Sequence, residues 1–296
     1  MATSDSPITC SQLARSSDEQ LLGTASWARA WLLVENRDPW PSHAVNDGVP
    51  AELRQQIAGA GWNAQFVREF DDRARTSPWR VWFADAAKRA AWMWHADSQE
   101  HQLQLITDLL SGNPQPGEQV SDPFLLVCTN GKRDACCAVS GRAILETVLA
   151  GSEHAARSPI ALESTHLGGH RFAGVVVSLP QSYQYRCDDG AHALRILNDA
   201  RHGLVHSTGL RGHTARQAPE QIAEIAVREQ LGMWQPDADI TMECDIDGDT
   251  AQVRGQVAGR NFHASLTATI GTPRPESCGG DPKPLRTWSI AGVDIS

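Results

Sequence analysis

Hydrophobic positions along the chain fall into short continuous runs separated by polar, Gly- and Pro-containing stretches, with helix-period segments between them. Trp27 to Glu35, centred on Trp31-Leu32-Leu33-Val34, predicts a strand; Pro50 to Gly59 predicts a short helix opened by its proline, and Asn63 to Phe70 a second strand. Trp79 to Ala84 and Ala91 to Ala96 read as a strand and its hairpin partner. Gln99 to Leu110 places Leu103, Leu105, Ile106, Leu109 and Leu110 on one helical face. Gly112 to Asp122, with two prolines, reads as a linker.

The order then repeats. Phe124 to Cys128 predicts a strand, Cys137 to Leu149 a helix, Ala161 to Thr165 a strand, Ala173 to Leu179 a strand stopped by Pro180, and Asp188 to Arg201 a helix. Two passes of similar length predict an α/β chain built from two related halves, residues 21–115 and 120–210. Residues 1–20, rich in Ser, Thr and Asp without an apolar period, read as a mobile tail. Residues 217–296 change character: a helix from Pro219 to Leu231, then alternating strands over Ile240 to Ile246, Ala251 to Val257 and Phe262 to Ile270, with Asp247-Gly248-Asp249 as a turn. This predicts a small C-terminal α+β appendage, in which Gly271 to Pro284, with four prolines and three glycines, is too poor in apolar side chains for a core element.

Composition narrows the function classes. A formal charge of −9 with no clustered basic face argues against nucleic acid and anionic membranes as partners. The ten tryptophans concentrate between residues 27 and 94, where Lys is nearly absent, so they read as packing aromatics instead of a platform for bases. No run approaches the roughly 20 apolar residues of a membrane helix. The opening Met-Ala-Thr-Ser-Asp-Ser has neither a basic nor an apolar leader region, and the expectation is a cytoplasmic protein. Seven cysteines, an odd and unevenly spread set, argue for free or metal-bound thiols over a disulfide framework.

The candidate chemistry lies at two strand ends. One loop runs from Cys128 through Thr-Asn-Gly-Lys-Arg-Asp-Ala to Cys136-Cys137; the other is His166-Leu167-Gly168-Gly169-His170. Soft thiolates from one loop and imidazoles from a second suit iron, zinc or an iron–sulfur cluster better than magnesium or calcium. Gly168 and Gly169 supply positive φ or steric room under such a group. Cys2His2 also suits tetrahedral zinc, although the eight residues between Cys128 and Cys137 exceed the usual short zinc spacing.

Leu125-Leu126-Val127-Cys128, the Gly131-Lys132-Arg133-Asp134 turn, Cys137 and His166-Leu-Gly-Gly-His170-Arg-Phe-Ala-Gly174 together resemble the sucrase/ferredoxin-like family, and Trp31 to Glu35 through Pro39-Trp40 resembles its bacterial members. The resemblance implies two tandem thioredoxin-like halves, the first degenerate and the second a ferredoxin. The first-half strand ends in Glu35-Asn36 where the second ends in Cys128, so the first half is expected to be a scaffold. By the same resemblance a [2Fe–2S] cluster is held by Cys128 and Cys137 on one iron and His166 and His170 on the other. Cys137 is favoured because it directly precedes the Ala138-Val139-Ser140-Gly141 start of the helix, the offset at which the second cysteine of the resembled family falls, and Cys136 stays open as the substitute. Two neutral imidazoles in place of thiolates make the centre less negative and raise its potential, and their second ring nitrogens link electron transfer to a proton.

The expected function is one-electron transfer between a reductase and an acceptor, both proteins. The alternatives are a sensing or binding module using the same residues, and a thiol oxidoreductase using Cys128, Cys136 or Cys137, which lacks the thioredoxin Cys-x-x-Cys spacing. No pair of carboxylates on matching strand ends supports sugar hydrolysis. Arg133 is expected to pair with Asp134 or a nearby carboxylate, or to face the cluster; Arg211-Gly212-His213 to cover the cluster, dock a partner or form an exposed loop. Cys10, Cys187 and Cys244 receive no role, Cys244 being expected in a core, whereas Cys278, among glycines and prolines, is either a solvated loop cysteine or one that approaches the cluster.

Overall fold

The computed structural model describes residues 9–70, 78–151, 159–236 and 240–296. Where the sequence reads as a tail, α1 (Cys10–Ser16) forms, capped by Thr9, whose side chain accepts from the Gln12 N–H while the Gln12 side chain accepts from the Thr9 N–H. This capping box stabilises a helix too short to show a period. Residues 1–8 of the expected tail lie outside the described residues.

The first half runs β1 (Ala30–Glu35), α2 (Ala44–Gly48), α3 (Ala51–Gly59), β2 (Trp62–Arg68), β3 (Trp79–Asp85), β4 (Ala90–Ala96), α4 (Gln99–Leu110) and β5 (Glu118–Val120). The second runs β6 (Phe124–Cys128), α5 (Ala135–Gly151), β7 (Ala161–Ser164), a 3-10 turn His170–Phe172, β8 (Val175–Leu179), β9 (Tyr183–Arg186), α6 (Gly190–Arg201) and β10 (Leu210–His213). In each half a parallel pair (β1 with β2, β6 with β7) is followed by antiparallel neighbours, giving the orders β2-β1-β3-β4-β5 and β7-β6-β8-β9-β10. The halves share one ten-stranded sheet through β2 and β7, where Arg68 lies opposite Glu163 and binds it at 2.7 Å. Both side chains are buried, and Arg68 stacks 4.0 Å over Trp40.

Continuous apolar runs become strands covered on both faces. Every residue of β1, β6, β7 and β8 is buried. Alternation then divides β6: Phe124, Leu126 and Cys128 join Trp31, Trp82, Val177 and Phe172 in one core, while Leu125 and Val127 join Ile144, Leu145 and Ile196 in another.

Apart from the two-residue pieces of the appendage, four strands had no sequence signal strong enough to name them. Glu118–Val120 lies inside the expected linker, Tyr183–Arg186 is short, and Leu210–His213, read as a loop, is a buried strand with Arg211 2 % exposed. The fourth belongs to the appendage, where α7 (Ala218–Leu231) packs on a separate antiparallel sheet of β11 (Ile240–Asp247), β12 (Thr250–Val257), β13 (Arg260–Ile270) and β16 (Arg286–Ile295). A two-residue ladder, β14 (Arg274–Pro275) with β15 (Pro282–Lys283), closes the proline-rich loop. Cys244, expected in a core, is half-buried. Among the described residues no helix is long and apolar enough to cross a membrane.

Candidate metal centre

Two loops at the same end of the parallel pair β6–β7 carry the predicted residues. Cys128 is the last residue of β6 and Cys137 lies in the first turn of α5; both are fully buried. Helix and strand end meet because Gly141 has no side chain: a Cβ there would stand 2.1 Å from the Cys128 carbonyl oxygen. The connecting turn is tied by the Asn130 carbonyl, which accepts from the N–H groups of Arg133 and Asp134 at 3.1 and 3.2 Å.

The histidine loop leaves β7 through Thr165, whose hydroxyl accepts from the Phe66 N–H at 3.1 Å and fixes the loop to the first half of the sheet. Gly168 and Gly169 both take left-handed φ, 86° and 73°, and a Cβ on Gly168 would reach within 2.0 Å of the Ser26 hydroxyl. Ser26 Oγ and Gln184 Nε2 each donate to the Leu167 carbonyl at 2.8 Å. Arg211 donates to the Gly168 carbonyl at 3.1 Å and to the Thr24 hydroxyl at 3.0 Å, and also to the Thr24 carbonyl. Arg211 therefore acts from beneath the loop, as a buried positioning residue and not as a cover or docking group. Its strand was unreadable because one arginine and one glycine interrupt four residues.

The donor atoms of Cys128, Cys137 and His166 lie within 4.8 Å of one another. His170 stands beside them, its ring stacked on that of His166 with centroids 4.0 Å apart and planes at 16°. Nδ1 of each imidazole is buried without a hydrogen-bond partner. Such a nitrogen costs on the order of 1–3 kcal/mol unless something binds it, so two neighbouring orphans beside two thiols fit a metal or cluster better than a packed core.

The electrostatics agree. The Cys137 thiol donates to Cys128 and holds the Cys128 sulfur well below the usual thiol range, helped by the His166 imidazole and the Leu167 N–H. The same shared proton raises Cys137. A lowered Cys128 favours the thiolate, the form that ligates. Burial, reinforced by His166, pushes His170 down to about 4, so it is neutral and has a lone pair to donate at physiological pH.

Cys136, one residue along α5, turns away from Cys137 toward Cys10 and Cys278, at 4.0 and 3.3 Å. Arg133 is exposed and reaches the His43 ring, 3.0 Å from Nε2, instead of a carboxylate. Asp134 accepts the N–H groups of Cys136 and Cys278, both at 2.9 Å. At the corresponding first-half strand end, Glu35 is buried and paired with Arg80 at 2.9 Å and Arg37 at 3.1 Å, an ion pair in place of a thiol. A shallow cavity of about 250 Å³, lined by His43, Asn46, Gln65, Arg133 and Thr165 among others, leads to His166.

Neither a curated protein nor a solved structure matches the chain. A family model described as sucrase/ferredoxin-like matches residues 21–220, a span that includes both halves of the large sheet and both site loops, and the chain therefore belongs to the sucrase/ferredoxin-like family.

Proposed function

We propose that the protein is a one-electron carrier whose second, thioredoxin-like half holds a [2Fe–2S] cluster on Cys128, Cys137, His166 and His170. One observation carries this reading: two buried thiols stand beside two stacked imidazoles whose Nδ1 atoms have no hydrogen-bond partner. The repeated strand order, with a parallel pair followed by antiparallel strands in each half, supports a tandem thioredoxin-like arrangement.

The cluster, when bound, would accept and return a single electron at a potential raised by its two neutral ligands. The chain's own residues do the rest. Gly141 lets α5 bring Cys137 onto the strand end, Arg211 and Gln184 hold the His loop, and the buried shell around Cys128 keeps water from the sulfurs. His166 is the half-buried member of the set and lines the shallow cavity, which suits it to face a reductase or acceptor protein. Seven free cysteines fit a reducing, cytoplasmic setting.

The test is absorption and low-temperature EPR of anaerobically purified protein before and after dithionite, with iron and sulfide assayed on the same sample. Equal iron and sulfide, about two of each per chain, and a reduced-state average g value lowered toward the range of His-ligated clusters are expected. A colourless chain that takes up no iron or sulfide on anaerobic reconstitution would overturn the reading.

A further inference from the structure

The vicinal cysteines do not serve one site. Successive side chains on a helix diverge by about 100°, so Cys137 faces Cys128 while Cys136 faces another side. There it meets two cysteines from far along the chain: Cys10, at the start of α1, and Cys278, in the proline-rich loop of the appendage. Both lie outside the stretch shared with the family, residues 21–220.

The three sulfurs form a nearly regular triangle, with Cys136 to Cys278 at 3.3 Å, Cys278 to Cys10 at 3.5 Å and Cys10 to Cys136 at 4.0 Å. Tetrahedral thiolates on one ion with metal–sulfur bonds of about 2.3 Å stand about 3.8 Å apart. A circle through these sulfurs has a radius of about 2.1 Å, so a point about 2.3 Å from all three lies just under 1 Å off their plane, where the ion of a tetrahedral site belongs. A carboxylate oxygen is near enough to supply the fourth ligand. Asp134 Oδ2 is 3.8 Å from the Cys10 sulfur, and the carboxylate is aimed by the N–H groups of Cys136 and Cys278. All four donor atoms fall within 4.8 Å of one another.

We propose that Cys10, Cys136, Cys278 and Asp134 form a second metal site, mononuclear and tetrahedral, for a thiophilic divalent cation of the zinc class. A disulfide would use two of the three sulfurs and leave the third and the carboxylate unexplained. A polynuclear cluster would need sulfurs spread over several irons, farther apart than these. Cys10 and Cys136 are buried against Ala173, and Cys278 at the surface gives the ion its entry. The ion would displace thiol protons as it binds, so its affinity rises with pH. Bound there, it would tie α1 and the appendage loop to the first turn of α5, one residue from Cys137.

The test is zinc and iron per chain by mass spectrometry on the full-length protein, isolated and then equilibrated with zinc, with the zinc X-ray absorption edge read on the same samples. One zinc per chain in a shell of three sulfurs and one oxygen is expected, with Cys278→Ser and Cys10→Ser each lowering occupancy at least tenfold while iron content is unchanged. Cys128→Ser should do the reverse, losing iron and keeping zinc. Cys278 is exposed, so C278S keeps the test informative even where C10S fails to fold. No zinc after equilibration, zinc that survives C278S, or zinc lost with C128S would each overturn the site. Zinc loss in C278S reports on this site and iron loss in C128S on the first, so failure of one reading is told apart from failure of the other.

Discussion

Replacing Gly141 by Ala tests the contact on which the candidate centre depends. In an ordinary helix interior this substitution is favourable by about 1 kcal/mol. Here the new Cβ would meet the Cys128 carbonyl oxygen at 2.1 Å and Thr129 Cγ2 at 3.1 Å, and the first obstacle is backbone that cannot rotate away. Ordinary contact requires α5 and the end of β6 to separate by roughly 1 Å. Overpacking of this kind costs about 1–3 kcal/mol, which outweighs the propensity gain. Cys128 and Cys137 sit on either side of the contact, so their sulfurs part by a similar amount, several times the ~0.2 Å tolerance of a metal site. We expect G141A to lose most of its iron and sulfide after anaerobic reconstitution and to unfold at lower denaturant without a change in m value. Gly59→Ala, at a helical glycine with open space around it, is the control and should be neutral or stabilising. A G141A protein with full iron and sulfide and undiminished stability would refute the argument.

Cys137→Ser should abolish the iron–sulfur spectrum while Cys136→Ser leaves it intact, and the opposite pattern would reassign the second thiolate. Arg211→Met leaves the Gly168 and Thr24 carbonyls without their buried donor; a loss on the order of 2–4 kcal/mol in urea unfolding and a shortened lifetime of the bound cluster in air are expected. His213 is pushed down to about 4, first by burial and then by Arg216 and Arg228 against the opposing Glu224. The unfolded chain then binds a proton that the folded chain refuses between pH ~6.5 and ~4, so up to about 3 kcal/mol of stability present above that window is lost as pH falls through it. His213→Gln should flatten this part of the pH–stability curve, and an unchanged slope would count against a neutral buried His213. The reduction potential should fall with rising pH once a ligand imidazole of the oxidised protein titrates, and a potential flat from about pH 6 to 10 would remove the proton coupling.

What lies close together in sequence was readable. Leu125-Leu126-Val127 ends in Cys128 and becomes a strand buried on both faces because a continuous apolar run is stable only when covered on both sides. The glycines of the His loop predicted left-handed backbone, and both have it. Most of the longer strands and helices follow from local period and turn chemistry.

Where a residue's meaning depends on partners distant in the chain, the sequence was silent. Arg211 reads as a cover, a docking residue or part of an exposed loop until the sheet places it under a loop more than forty residues earlier. The vicinal cysteines read as alternatives for one role, yet the helix turns them to different sides and gives each its own neighbours. Cys10 and Cys278, separated by 268 residues, gave no pattern at all and stand 3.5 Å apart. Period and spacing record only what a segment buries or how it turns; which loops face one another is decided by strand order and packing, and a site assembled from several loops exists only once that topology has formed.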